Sequence, residues 1–170
     1  SKFSSFTPQG LSNTAWGFAS VGYNPGPEFL SALRDNIVRE GHTYIVTECA
    51  NLLWSFQAFK EHPGDECLDV VCRRIAEFSE EDLSVHTITN MMYCLAQFEY
   101  LPHRDVMDRI EELGVIFLRR SDDDGGAVPV APHMISNLLW SLSNLRYKPD
   151  EAFFAAFDAK CTSMVDEFTD

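Results

Sequence analysis

The sequence predicts an all-α fold, namely a right-handed α-solenoid of four helix-turn-helix repeats. Three observations support this prediction. A short motif led by asparagine recurs four times, a proline follows each copy at a fixed distance, and apolar residues recur at helical spacing around each proline. Because one helix pair cannot bury its apolar stripe alone, neighbouring pairs are expected to stack into an array.

The motif places an aromatic residue three positions after the asparagine, a small residue four positions after it and a proline twelve positions after it. The four columns are Asn13, Asn51, Asn90 and Asn137; Trp16, Trp54, Tyr93 and Trp140; Gly17, Ser55, Cys94 and Ser141; and Pro25, Pro63, Pro102 and Pro149. The asparagines are 38, 39 and 47 residues apart, and no copy needs a gap. Positions in a repeat are counted below from its asparagine, so the aromatic residue is at position +3.

These spacings predict a single helical-repeat domain over 1–170, with repeats 1 to 4 at about 7–41, 42–82, 83–124 and 130–170. Repeat 1 shows the local signals most clearly. Thr7 suits an N-cap and Pro8 suits the first helical position, so a first helix is predicted from Pro8 to about Val21. The glycines and prolines of 22–27 predict a turn, and 28–39 is predicted as the second helix.

The other repeats follow the same order. Their predicted helices are 44–59 and 65–78 in repeat 2, 85–98 and a helix continuing through Gly114 to 119–120 in repeat 3, and 132–145 and 150–168 in repeat 4. Apolar residues line the second helices at matching positions, which are Phe29, Leu30, Leu33 and Ile37; Cys67, Leu68, Val71 and Ile75; and Val106, Met107 and Ile110.

Residues 121–128 form an acidic, glycine-containing insertion that explains the longer third spacing and is predicted to be a mobile surface loop. Its aspartates resemble a calcium loop, but the twelfth position counted from Asp122 is His133, where such a loop requires glutamate. The histidines and cysteines lack the spacing of zinc ligands. The sequence therefore predicts no metal site, no cofactor and no catalytic residues, and hence no enzyme.

At 100° per residue, each asparagine shares a helix face with the residues at positions −4, +3, +4 and +7. The opposite side, which carries Leu11, Thr14, Ala15 and Phe18 in repeat 1, is predicted to be the core stripe. Positions −4 and +7 change from repeat to repeat, as a surface that distinguishes ligands must. The candidate ligand-reading residues are Gln9, Ser20, Thr47, Ala58, His86, Gln97, His133 and Asn144.

The constant asparagine and aromatic columns permit two interpretations. As a structural ladder, each amide would satisfy backbone groups of the neighbouring repeat, and Asn51→Ala would cost roughly 1–3 kcal/mol. As a ligand surface, the amides would bind an extended partner and the aromatic rings would stack on bases.

The Ser/Ala-Asn-x-x-Trp-x-Phe/Leu core, the turn proline and the 38-residue period resemble the octotricopeptide-type helical repeats of algal organelle proteins. They also resemble the repeats that precede the RAP domain in FAST-kinase-like and protist proteins. The likeness extends from about Phe6 to about Phe168. It implies an α-solenoid in the interior of a mitochondrion or chloroplast, where it would bind single-stranded or ribosomal RNA. Such repeats also serve as protein scaffolds in organelle assemblies.

Composition limits the class of partner. A net charge of −13 argues against an electrostatic grip on nucleic acid over the whole surface, although it leaves room for a local basic groove. It favours the alternative function, that of a protein-binding scaffold or structural subunit of a large organelle complex. No apolar run is long enough for a membrane span, so a soluble protein is expected.

Two further expectations come from the apolar residues. The five cysteines are odd in number and mostly at apolar helical positions, which favours free thiols over a disulfide framework. Phe153, Phe154 and Phe157 leave the last helix strongly apolar, so further repeats or a partner are expected at the C-terminal end.

Overall fold

The computed structural model describes residues 6–120 and 129–165. Over these ranges the chain contains eight α-helices and no strand, which confirms the predicted all-α class. The helices are α1 Pro8–Ser20, α2 Pro27–Glu40, α3 Val46–Phe59, α4 Asp65–Ala76, α5 Val85–Gln97, α6 Arg104–Arg119, α7 Pro132–Asn144 and α8 Glu151–Ser163. None of them, within the described part of the chain, combines the length and the apolar character needed to cross a bilayer.

The helices form two compact units, 1–78 and 79–170, each of which contains two repeats. In the first unit α1 packs beside α3 and α2 beside α4. In the second unit α5 packs beside α7 and α6 beside α8. Within each unit, therefore, first helices lie against first helices and second helices against second helices. The single domain over 1–170 stays a prediction.

The helix starts follow the predicted capping chemistry. Thr7 Oγ1 accepts a hydrogen bond from the Gly10 N–H at 3.1 Å, and Pro8 is the first residue of α1. Ser84 and Asp150 cap α5 and α8 in the same way, by accepting from Thr87 N–H and Phe153 N–H. These side chains satisfy donors that a helix start leaves without an intrahelical partner.

Each first helix ends in a Schellman turn, a feature that the sequence analysis did not predict. The residue at position +9 has a positive φ, and the N–H at position +10 donates to the carbonyl at position +5. The φ values are 70° at Gly22, 57° at Lys60, 55° at Glu99 and 52° at Arg146. The matching hydrogen bonds join Tyr23 to Phe18, Glu61 to Phe56, Tyr100 to Leu95 and Tyr147 to Leu142, at 2.9, 3.0, 3.0 and 3.0 Å.

The predicted core stripe is largely buried. In repeat 1, Leu11 and Ala15 are buried, whereas Thr14 and Phe18 are only half-buried. The apolar positions predicted for the second helices of repeats 1 to 3 are all buried. All five cysteines are free, as predicted, and four of them are buried.

The second helix of repeat 3 continues through Gly114, as predicted, and the structure gives the reason. A Cβ atom built on Gly114 would lie 2.7 Å from Cε2 of Phe153, so the missing side chain makes room for that ring of α8. Gly114 therefore stands where the earlier repeats have isoleucine because α8 brings a phenylalanine against it.

The last helix and the loop at 121–128 are compared with their predictions next. The last helix was predicted over 150–168, but α8 ends at Ser163. The predicted end near Phe168 lies outside the described residues, and so does the predicted mobile loop at 121–128.

Candidate functional site

The strip formed by positions −4, 0, +3 and +7 of the first helices is named here the amide–aromatic face. All eight candidate reading residues are exposed: Gln9, Ser20, Thr47, Ala58, His86, Gln97, His133 and Asn144. Asn13 and Asn90 are also exposed, and Asn51 and Asn137 are half-buried. The face is therefore a solvent-accessible strip in each unit, because the core lies on the other side of these helices.

The aromatic column forms one ring pair in each unit. The ring centroids of Trp16 and Trp54 are 6.4 Å apart with 40° between the planes, and those of Tyr93 and Trp140 are 5.3 Å apart with 35° between the planes. The three tryptophans nevertheless remain 39–48% exposed. Each pair thus joins two repeats and still presents apolar ring surface to solvent.

The side chains of the asparagine column make few hydrogen bonds within the described part of the chain. Within the described residues, one side-chain amide of this column makes a hydrogen bond. It joins Asn90 Nδ2 to His86 Nε2 at 2.9 Å, within one helix. The side chains of Asn13, Asn51 and Asn137 make no hydrogen bond to a neighbouring helix in that part of the chain. The described residues therefore supply no hydrogen bond between repeats for the ladder interpretation, which stays a prediction.

The small-residue column was predicted to share this face, and that prediction is wrong for three of its four members. Ser55, Cys94 and Ser141 are buried, and only Gly17 is half-exposed. The Oγ atoms of Ser55 and Ser141 donate to the carbonyls of Asn51 and Asn137, both at 2.6 Å. Position +4 is therefore buried on three of the four first helices, where a small side chain takes up little room.

In the second unit the face borders a groove of about 510 Å³ between α5 and α7. Its lining combines reading residues from both helices with one ring of the aromatic pair. The lining residues are Ala96, Gln97, Glu99, Leu101, Trp140, Asn144, Leu145 and Arg146. The structure thus brings together Gln97, Asn144 and Trp140, whereas His86 and His133, at the other end of the same helices, do not line it.

Two reading residues already make hydrogen bonds within their own helices. Asn144 Nδ2 donates to the Trp140 carbonyl and Ser20 Oγ donates to the Trp16 carbonyl, each at 2.8 Å. The Asn144 amide oxygen stays available as an acceptor. The groove therefore offers amide donors and acceptors next to an exposed indole ring.

Most basic side chains are occupied by acidic neighbours. Arginine–carboxylate pairs join Arg34 to Glu61, Arg39 to Glu40, Arg73 to Asp69, Arg74 to Glu77, Arg104 to Asp108, Arg109 to Glu112 and Arg120 to Glu80. A phosphate-binding rim formed by Arg73-Arg74 and Arg119-Arg120 is disfavoured, because three of these four side chains pair within the protein.

Four exposed cations make no ion pair over the described ranges: Lys60, Arg119, Arg146 and Lys148. Arg146 lines the groove, and Lys60 occupies the same position +9 at the end of α3. Lys148 lies two residues beyond Arg146. Three of the four unpaired cations are therefore at or next to the ends of first helices, and Arg146 lies in the groove beside the amide–aromatic face. The sequence-based prediction did not include these cations: Lys60 and Arg146 share position +9, but Gly22 and Glu99 occupy that position in repeats 1 and 3.

No protein-family model, curated protein or solved structure shows a significant match to this chain.

Proposed function

We propose that this chain is a non-enzymatic binding module whose amide–aromatic face binds single-stranded RNA. The observation that carries the proposal is the groove of the second unit, where Trp140, the amides of Gln97 and Asn144, and the unpaired cation Arg146 converge. Each group matches one part of a nucleotide: the indole face suits a base, the amides suit base edges and the guanidinium suits a phosphate.

A second part of the proposal concerns how the four repeats are arranged. We infer that the four repeats stack as a right-handed α-solenoid, because the two units repeat the same helix-on-helix packing. An experimental structure in which α3 and α5 lie apart would overturn this.

The resemblance to octotricopeptide-type repeats supports a role in organelle gene expression, inside a mitochondrion or chloroplast. A tagged chain that stays outside both organelles would contradict that placement.

A second candidate function is that of a scaffold or structural subunit in a large organelle complex. The net charge of −13 and the ion pairing of most arginines favour it, since both reduce the attraction for phosphates. The RNA proposal is preferred because the unpaired cation Arg146 lies in the same groove as the exposed ring of Trp140.

The deciding experiment is a fluorescence-anisotropy titration of the full chain with mixed-sequence single-stranded RNA at low salt. Trp140→Ala is expected to weaken binding by about 1–3 kcal/mol, roughly 5- to 150-fold, because a stacking surface is lost. Val38→Ala is the control, because it shortens an exposed apolar side chain of α2 that is not part of this face. Wild-type binding weaker than about 100 µM would favour the scaffold function.

A further inference from the structure

The first helices of the two units share one pattern of burial. Positions −1, +2 and +6 are buried on α1 and α5, and positions +1, +4 and +8 are buried on their neighbours α3 and α7. The first set is named the following side and the second set the preceding side. Following sides are Ser12, Ala15 and Ala19, and Thr89, Met92 and Ala96; preceding sides are Leu52, Ser55 and Phe59, and Leu138, Ser141 and Leu145.

A polar contact at position +21 reinforces each interface. In the first unit, Arg34 donates to the carbonyls of His62 and Pro63, in the turn of the following repeat. In the second unit, the Glu111 carboxylate accepts from the Tyr147 hydroxyl and, at 2.8 Å, from the Asp150 N–H. Position +21 therefore faces the turn of the next repeat.

Repeat 4 has the same following side, but it is open. Ser136, Leu139 and Ser143 of α7 are all exposed, and Leu139 is 39% exposed where Met92 is fully buried. On α8, Phe154 is 41% exposed where its equivalents Leu30, Leu68 and Met107 are at most 2% exposed. Asp158, at position +21, is exposed as well. This end carries two uncovered apolar side chains and a carboxylate placed like that of Glu111.

Repeat 1 has the complementary opening. On the preceding side of α1, Thr14 and Gly17 are half-exposed and Val21 is 77% exposed. A Cβ atom built on Gly17 would meet no atom within 4 Å. Tyr23, which is at the same position +10 as Tyr147, is 59% exposed.

We propose that these two open sides bind each other in separate copies of the chain, so that the protein associates head to tail. The following side of α7 and α8 in one copy packs on the preceding side of α1 in the next. Asp158 accepts a hydrogen bond from the Tyr23 hydroxyl of the second copy, as Glu111 does from Tyr147 within one copy. Such an interface is heterologous, so repeated association produces open chains or rings rather than only dimers.

The partner of each open side is a second copy of the chain. The proposed contact repeats the helix pairing that each unit already contains, with small and apolar residues at the same positions. The inference needs no RNA and goes beyond the proposed function. The charge of −13 on each copy opposes association at low ionic strength, so moderate salt should strengthen the assembly by screening that repulsion.

Sedimentation velocity of the full chain, from micromolar to near-millimolar concentration and at low and moderate salt, tests the proposal. The wild type is expected to form species larger than dimers. Leu139→Arg blocks one end and Gly17→Arg blocks the other, so each variant alone is expected to remain monomeric. Mixed together, the two variants keep one intact end each and are expected to form a one-to-one complex that grows no further.

Ala152→Arg is the matched control, because it adds the same charge to α8 at an exposed position whose equivalents Glu28, Glu66 and Asp105 are exposed in every other repeat. It should associate like the wild type, and circular dichroism of all variants checks that they fold. A wild type that stays monomeric at every concentration overturns the proposal and leaves the open sides to a different partner. Failure of the mixed variants to form a complex while the wild type dimerises also overturns it, because the interface would then be symmetric.

Discussion

Two asparagines in the first unit have opposite surroundings. Asn36 is buried and its Oδ1 accepts a hydrogen bond from the Tyr44 hydroxyl at 2.6 Å. Asn51 is half-buried on the amide–aromatic face and has no hydrogen bond to another helix over the described residues. The same change to alanine should therefore give different results at the two positions.

Asn51→Ala is expected to change the free energy of unfolding by no more than about 0.5 kcal/mol, as surface substitutions usually do. Asn36→Ala is the matched control and should cost roughly 1–3 kcal/mol, because it removes a buried hydrogen bond of Tyr44. Urea denaturation of both variants measures the difference. If Asn51→Ala were as costly as Asn36→Ala, the result would support the ladder interpretation.

The buried thiols predict a loss of stability at alkaline pH. Burial raises the pKa of Cys49 and of Cys94 from 9.0 to about 12, and that of Cys67 to about 11. Above pH 9 these thiols therefore keep their protons in the folded state and lose them in the unfolded state. Since the folded state then binds more protons, stability falls as pH rises, by up to about 1.4 kcal/mol per pH unit for each thiol.

Urea midpoints at pH 8, 9 and 10 measure this effect, with the midpoint expected to fall above pH 9. Cys94→Ala should make the fall shallower, since burial is the cause of the shift at that residue. A midpoint that stays constant to pH 10 would show that the thiols reach solvent.

At the scale of single elements, repeat 1 offers two glycines with opposite conformational needs. Gly22 ends α1 with φ of 70°, and Gly17 lies inside α1. A Cβ atom at either position would meet no atom within 4 Å, so backbone conformation alone decides the outcome. Gly22→Ala should destabilise the protein by about 1 kcal/mol, because an alanine resists positive φ.

Gly17→Ala is the comparison for this prediction. It should stabilise the protein by roughly 0.5–1 kcal/mol, because alanine is the better residue in a helix interior. Thermal unfolding of both variants gives the two signs in one assay. Equal shifts in the same direction would mean that the Schellman turn does not require its left-handed residue.

The bounds of the helices were largely predictable because their signals are local. Thr7, Pro8 and the turn prolines lie next to the helix ends that they determine, and seven of the eight predicted helices end within about two residues of the structure. The left-handed residues Lys60, Glu99 and Arg146 were not predictable in the same way, because their side chains disfavour positive φ. The hydrogen bonds of the Schellman turn impose that conformation.

Contacts between repeats could not be predicted from the sequence, for a different reason. Tyr147 and Glu111 are 36 residues apart in the chain, and no local pattern joins them. The small-residue column was visible, but placing it required knowing which shoulder of the helix faces the neighbour. Packing between helices decides both features, so they emerged only with the structure.

At the scale of the whole molecule, the net charge is negative, and few basic side chains are unpaired and so free to bind a ligand. Of the basic side chains in the described residues, Lys60, Arg146 and Lys148 are the unpaired ones at or next to the ends of first helices, and Arg146 lines the groove. Counterion release on binding single strands depends on the number of phosphates that such cations neutralise. An acidic protein that binds RNA mainly by stacking and amide contacts should therefore show a weak dependence on salt.

With no more than three cations engaged, the slope of log Kobs against log salt concentration should be about −2 or shallower, at roughly −0.7 per phosphate contact. Arg146→Gln should make it shallower by about 0.7, because one contact is lost. Arg73→Gln is the matched control and should leave the slope unchanged, since Arg73 pairs with Asp69 at 3.0 Å. Anisotropy titrations at several salt concentrations measure all three slopes. A slope much steeper than −2 would mean that arginines now held in ion pairs leave their carboxylates to bind phosphate, and the amide–aromatic face would then not be the main binding surface.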